Sequence, residues 1–234
     1  MLGYPDQGLI LLQEAVVLAR DLSHPYTLAT ALGNQGLALC SYDDVQRANE
    51  LFTEAMSIAQ QHGFPQLEAM VNCWMSEVLI SQGKFDEAVL RLKSGLSIFE
   101  GDSSELLRLA SAYHKPGRLQ EAFAEVNKLQ NHVARQGQHA RDSELLRLKG
   151  ALLSIKGDSV AAEQCFQSAI KIASRQSAKI YELTATTELA SLLVQQGRRD
   201  QAYMMLSEIY NWFTEGFDTT VLKKAKAILA ELHS

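Results

Sequence analysis

Proline, glycine and long apolar runs are all scarce in this sequence. Only 4 of the 234 residues are Pro and 14 are Gly, which permits long helices and argues against an all-β fold with many turns. No apolar run approaches the roughly 20 residues that a membrane-spanning helix requires, so we predict no membrane partner. The segment Met1–Gln13 lacks the basic start and apolar core of a signal peptide, and we expect none.

Cysteine is also rare, and the three cysteines present are far apart. An odd number of widely spaced cysteines favours free thiols in a reducing compartment over a disulfide framework, so we predict a cytoplasmic protein. Cys40 and Cys73 occupy positions where a small apolar residue fits, and Cys165 precedes Phe166. Catalysis by a Cys–His pair is the alternative, but we favour buried structural thiols and predict that the chain is not an enzyme.

Positive charge is in deficit, and the deficit lies in one half of the chain. The 22 Lys and Arg against 27 Asp and Glu give a net charge of -5, which argues against general nucleic-acid binding. Residues 1–102 carry 5 basic and 13 acidic side chains, whereas residues 103–234 carry 17 and 14. This asymmetry is either uneven decoration of solvated helix faces, which we favour, or a partner surface whose sign changes along the molecule.

The sequence does contain a repeat. A small residue recurs in steps of 40, 40, 34, 40 and 40 residues. A large apolar residue follows four positions later, and a small or apolar one seven positions later, which places all three on one helix face. The three series are Gly8, Ala48, Ala88, Ala122, Ala162 and Ala202; Leu12, Phe52, Leu92, Val126, Phe166 and Leu206; and Ala15, Ala55, Gly95, Leu129, Ala169 and Ile209.

A second compact residue lies twelve positions before each small residue from Ala48 onwards. Compact side chains at both places allow two antiparallel helices to approach closely, while the large residue fills the space beside them. Glycines such as Gly83 and Gly157 lie between the helices, where a left-handed backbone is easy for Gly; Asp43 fits this place more loosely. The compact series is Gly36, Ser76, Ala110, Gly150 and Ala190.

This pattern resembles the tetratricopeptide repeat (TPR), in which a small residue and a turn Gly precede Ala, an aromatic residue and Ala. The best match reads Leu146, Gly150, Gly157, Ala162, Phe166 and Ala169. The 40-residue step exceeds the 34 residues of the common repeat, which predicts longer helices. The resemblance implies an all-α fold: a right-handed superhelix, or α-solenoid, of antiparallel helix pairs.

We predict one repeat array over residues 1–234. Its last helix should pack one apolar face on the preceding pair and expose a basic face, as a terminal cap does, with Asp218 as its N-cap. The predicted elements are a half repeat at 5–21, helix pairs at 25–62, 65–100, 103–136, 139–175 and 178–213, and a capping helix at 218–232.

The C-terminal sequence, Tyr210–Thr219 followed by Leu222–Leu232, resembles the tail of a bacterial family. In that family an adenylate-cyclase-like or DNA-binding domain precedes an AAA-type ATPase and a long repeat array. The segments at 3–7, 139–150 and 176–179 share the resemblance. It implies the regulatory repeat region of a signalling protein, without the cyclase or ATPase chemistry.

The half repeat at 5–21 is the second helix of a pair whose first helix is missing, which should expose an apolar face. Either the chain is a fragment of a longer protein, which we favour, or the covering helix comes from another molecule. The second explanation predicts self-association through this helix.

Motifs for metal or cofactor binding are absent from the sequence. The six His residues form no HExxH pair, and the cysteines form no CxxC pair. Gly83-Lys84-Phe85 lacks the Ser or Thr and the preceding glycines of a phosphate-binding loop. We therefore predict no metal, no cofactor and no catalytic residues.

In arrays of this kind, the concave face, which the first helices line, usually holds the partner. Here that face is mixed and modestly polar, without the Lys, Asn and Arg pattern that grips a C-terminal carboxylate in chaperone-binding repeats. The polar anchor that we predict is Arg147, with His114, Lys115 and Glu144 nearby and Glu77 as a further candidate. The alternative is that these are merely solvated side chains.

The function that follows is a non-catalytic protein–protein interaction scaffold, the regulatory repeat region of a bacterial signalling protein. A preformed groove would bind a protein or peptide with little loss of entropy. The alternative is a sensor of a peptide or small molecule that gates an attached ATPase or transcription-activator module.

Overall fold

Helices account for all the regular secondary structure in the residues that the computed structural model describes, which are 3–98, 103–114, 117–136 and 141–233. The prediction of an all-α fold is confirmed. No described helix combines the length and the apolar character needed to cross a bilayer. The helices are α1 (Pro5–Asp21), α2 (Pro25–Ser41), α3 (Val45–Gln61), α4 (Pro65–Ser81), α5 (Phe85–Leu96), α6 (Ser103–His114), α7 (Leu119–Gln136), α8 (Asp142–Lys156), α9 (Ser159–Arg175), α10 (Lys179–Gln195), α11 (Arg199–Tyr210) and α12 (Thr220–His233).

The chain divides into two compact units. The N-terminal unit comprises Pro5–Arg118, and the C-terminal unit comprises Met1–Tyr4 and Leu119–Ser234. The helix pair predicted at 103–136 spans this division, which lies near the single 34-residue step of the repeat. The single array therefore stays a prediction. The predicted elements also include residues outside the described ones, at 99–100, 115–116 and 139–140.

In the N-terminal unit, α2 packs against α3 and α4 packs against α5. Each pair is joined by only three residues, so its two helices run antiparallel. The helix α1 packs on α2, and α5 packs on α6. The repeat positions Ala48, Phe52 and Ala55 are completely buried, which makes them part of the core of this unit.

A close contact between Gly36 and Phe52 holds α2 against α3. A Cβ atom added at Gly36 would lie 2.5 Å from Phe52 Cε1, so the ring occupies the volume that any larger residue would need. In the C-terminal unit, Gly150 of α8 and Phe166 of α9 repeat the arrangement, and the corresponding distance is 2.8 Å. The same sequence pattern therefore produces the same packing in both units.

The turn within each pair uses one residue with a left-handed backbone. Gly83 and Gly157 have φ angles of 74° and 90°, and Asp43 takes the same place between α2 and α3 with a φ of 63°. Asp tolerates this conformation better than most residues, so it can take the place of the turn glycine. The N–H of Asp44 then donates to the carbonyl of Leu39 at 3.1 Å and closes the end of α2.

In the C-terminal unit, α8 packs on α9, α10 packs on α11, and α12 packs on α10 and α11 and buries Leu222. The prediction that Asp218 caps α12 is wrong. The hydroxyl of Thr219 accepts from the N–H of Leu222 at 3.5 Å and donates to the carbonyl of Gly216 at 2.7 Å. Thr219 is buried, and its hydroxyl can satisfy a donor and an acceptor at once, which a carboxylate cannot.

Replacing Gly36 by Ala should lower the free energy of unfolding by about 1–3 kcal/mol, because the new methyl group overpacks the contact with Phe52. The matched control is Gly8→Ala in α1, where a Cβ atom meets nothing within 4 Å. There Ala should raise stability by up to about 1 kcal/mol, because Gly is a poor helix former. Urea denaturation followed by circular dichroism measures both. Equal shifts of the two midpoints would contradict the packing argument.

Candidate functional site

The first helices of successive pairs form one surface in each unit. In the N-terminal unit we define the N-terminal first-helix face by Cys40 of α2, Glu77 of α4 and Arg108 of α6. An Nη1 group of Arg108 donates to Oε1 of Glu77 at 2.8 Å. Both side chains are mostly shielded from solvent, so this ion pair ties α4 to α6 across one step of the repeat.

Cys40 lies within the electrostatic influence of this ion pair. Burial, and to a smaller extent the negative charge of Glu77, raises the pKa of the Cys40 thiol to about 12, while Arg108 acts in the opposite direction. The thiolate, which is the nucleophilic form, is therefore scarce at neutral pH. Cys40, Cys73 and Cys165 form no disulfide with one another, and burial also raises the pKa of Cys165.

In the C-terminal unit, Arg147 is the centre of a network that joins α8 to α10. Its Nε and Nη2 groups donate to the two carboxylate oxygens of Glu144 at 3.2 and 3.3 Å, and Nη1 donates to Oε1 of Glu188 at 2.7 Å. The exposed fractions of the side chains are only 14% for Arg147, 13% for Glu144 and 20% for Glu188. We call Glu144, Arg147 and Glu188 the C-terminal first-helix face.

The two carboxylates determine the electrostatics of this network. Burial alone would lower the pKa of Arg147, but the charges of Glu188 and Glu144 and their hydrogen bonds outweigh burial and raise the pKa above its ordinary value. Arg147 is thus permanently cationic. One carboxylate remains in excess, and Oε2 of Glu188 is buried without a hydrogen-bond partner among the described residues.

Hydroxyl groups of α10 near Glu188 already donate their hydrogen bonds to backbone carbonyls of the same helix. Thr184 and Thr187 donate to the carbonyls of Ile180 and Leu183, each at 2.7 Å, and Ser191 donates to the carbonyl of Thr187 at 3.0 Å. Thr187 is buried, whereas Thr184 and Ser191 are half-buried, so only the lone pairs of the latter two oxygens remain for another molecule. This part of the face therefore offers more acceptors than donors.

The predicted site residues fall on different units. Glu77 lies in the N-terminal unit, whereas Glu144 and Arg147 lie together in the C-terminal unit. His114 ends α6, but its side chain is outside what the structure describes, and Lys115 lies outside the described residues. Their role in binding a partner stays a prediction.

Sequence reasoning missed Arg108 and Glu188, the two charged residues that complete these networks. Each lies about one repeat along the chain from the predicted residue that it pairs with. Glu77 and Arg108 are separated by 31 residues, and Arg147 and Glu188 are separated by 41 residues. The signal that could have identified them is a pair of opposite charges, one repeat apart, on two successive first helices.

Metal chemistry has no obvious site in the described part of the chain. No group of three or more His, Cys, Asp or Glu side chains lies close enough together there to hold a metal ion.

A second surface is formed by α1, which buries Val16 and Ala19 and leaves much of its circumference open. The repeat residue Ala15 is exposed, although Ala55 at the same position of α3 is completely buried. Large apolar side chains of α1 are also exposed: Ile10, Leu11, Val17 and Leu18.

Comparison with curated proteins finds a partial relative. The chain is 30% identical over 103 residues to "Response regulator aspartate phosphatase A" of Bacillus subtilis (strain 168). The match covers 44% of this chain and 27% of that protein, so the chain spans about a quarter of its relative. No protein-family model matches the chain.

Solved TPR structures share the fold of this chain. A thermophilic TPR protein from Thermus thermophilus has a TM-score of 0.66 and 16% identity, over 86% of this chain and 99% of its own. A chain of the APC/C hetero-tetramer Cut9-Hcn1 has a TM-score of 0.65 and 17% identity, over 94% of this chain and 45% of its own. The chain therefore has a TPR-type fold, as the repeat predicts.

Replacing Arg147 by Met should lower the free energy of unfolding by about 3–5 kcal/mol, because it leaves the carboxylates of Glu144 and Glu188 buried without their cation. Adding Glu144→Gln and Glu188→Gln should recover most of the loss. The control Arg198→Met removes a more exposed ion pair with Glu163 and should have a much smaller effect. Urea midpoints of the variants test this, and a triple variant no more stable than Arg147→Met would contradict it.

Proposed function

We propose that this chain is a non-catalytic protein–protein interaction scaffold that binds a protein or peptide on its C-terminal first-helix face. The observation that carries the proposal is the Arg147 network, which holds Glu144 and Glu188 in fixed positions without any partner. A surface whose side chains are already ordered loses little entropy when it binds. The TPR-type fold supports the same function, since one structural neighbour belongs to a hetero-tetramer.

The chemistry of this face selects its partner. The network contains one guanidinium and two carboxylates, and the neighbouring hydroxyls have already donated their protons. A partner must therefore supply N–H donors or positive charge. We propose a basic segment whose Lys or Arg side chains approach Glu188 and Glu144, with Arg147 keeping those carboxylates in place.

The biological setting that we propose is the regulatory repeat region of a cytoplasmic bacterial signalling protein. Two observations support it: the C-terminal sequence resembles the tail of ATPase-containing activators, and the partial relative is named a response regulator aspartate phosphatase. In the alternative form of this proposal, the same face is a sensor of a peptide or small molecule that gates an attached ATPase or transcription-activator module.

The test uses dodecamer peptides selected by phage display on the wild-type chain. Selected peptides should be basic, and Glu188→Gln should weaken their binding by about tenfold, because it removes the excess carboxylate but keeps an oxygen for Arg147. The matched control is Glu208→Gln, an exposed carboxylate on α11, which should change nothing. Calorimetry measures the affinities. Peptides without basic residues, or equal binding to both variants, would argue against this function.

Self-association through α1 is a separate proposal, supported by its exposed apolar side chains. A second copy of the same helix offers a matching apolar surface, as in a two-fold dimer. The double variant Leu11→Glu and Leu18→Glu should then convert a dimer to a monomer in light scattering. The control is Leu90→Glu, at a comparably exposed leucine of α5. A wild-type chain that stays monomeric at high concentration would remove this proposal.

A further inference from the structure

A cleft of about 650 Å³ opens in the N-terminal unit between α3 and α4. Met75 and Leu79 of α4 line it, together with Gln82, which follows the end of α4. At 3.6 residues per turn, Met75 and Leu79 lie on the opposite side of α4 from Glu77. The cleft is therefore separate from the N-terminal first-helix face.

The floor of the cleft is apolar, and a guanidinium lies at one edge. Val78 is buried, and Met75 and Leu79 are half-buried, so an aliphatic side chain placed here would leave water. Arg91 of α5 donates from Nη1 to Oδ1 of Asn72 at 2.9 Å and lies 3.5 Å from the Met75 sulfur. These contacts fix the guanidinium beside the floor.

The wall of the cleft on α3 is polar. Gln46, Asn49 and Glu50 are exposed and share one helix face, because their spacings are three and four. Together with Gln82, they make no side-chain hydrogen bond to another described residue. A carboxamide offers both a donor and an acceptor, which matches the alternating N–H and C=O groups of an extended peptide.

Opposite charges border the apolar floor. Glu50 on α3 forms no ion pair among the described residues, and Arg91 on α5 uses only Nη1 in its contacts there. A ligand with a cation, an apolar group and an anion in that order would satisfy all three features. An extended peptide presents alternate side chains on one side, so residues at positions i, i+2 and i+4 can supply them.

We propose that this cleft binds an extended peptide segment in which an aliphatic residue lies between a Lys or Arg and an Asp or Glu, at alternate positions. The aliphatic side chain packs on Met75 and Leu79, the basic one pairs with Glu50, and the acidic one pairs with Arg91. The carboxamides of Gln46, Asn49 and Gln82 bond to the peptide backbone. This site is independent of the scaffold surface proposed above, so either can fail alone.

The probe is the peptide acetyl-Ser-Lys-Ser-Leu-Ser-Glu-Ser-amide, titrated into the full chain labelled with ¹³C at its methionine methyl groups. The Met75 signal, assigned with Met75→Leu, should shift and saturate, while the signal of Met204, which is exposed on α11, should stay still. The analogue with Gln in place of Lys and Glu should bind more weakly by about three- to fivefold for each ion pair lost.

Variants of the chain complete the test. Glu50→Gln should weaken binding of the charged peptide by about three- to fivefold and leave binding of the uncharged analogue as it was. The matched control is Glu14→Gln, an exposed carboxylate on α1, which should leave both unchanged. A Met75 signal that does not move at millimolar peptide overturns the proposal. Equal binding of the charged and uncharged peptides, or equal effects of the two variants, also overturns it.

Discussion

Each unit depends on the close packing of a phenylalanine ring against a glycine, which has no side chain to exclude the ring. Phe52 fills the space above Gly36, and Phe166 fills the space above Gly150. In a repeat fold each element is held only by its neighbours, so no distant part of the core can replace a lost contact. A compact residue must therefore recur in every pair, and the sequence shows that it does.

The ion pairs of the first-helix faces are a consequence of this packing. Because successive first helices are held side by side, a charge on one helix comes within reach of an opposite charge one repeat later. Glu77 meets Arg108, and Arg147 meets Glu188. Each pair then fixes the relative rotation of two helices and creates a partly buried polar surface.

The fold was accessible from the sequence because its determinants are local or periodic. Small and large residues at fixed spacing define one helix face, and a turn residue such as Gly157 stops one helix and starts the next. Departures from the prediction are also local. Asp43 replaces a turn glycine by adopting its backbone conformation, and Thr219 rather than Asp218 caps α12 because the cap is buried and must both donate and accept.

The sequence by itself determined the helices, their compact contact points and three charged residues of the first-helix faces, Glu77, Glu144 and Arg147. Only the tertiary structure decided that Glu188 completes their network and that Glu50 and Arg91 border one cleft. Periodicity specifies which face of a helix is apolar, and it acts within one helix pair. Which charges meet depends on the rotation and stagger of helices that are distant along the chain, and those follow from the packing of the whole unit.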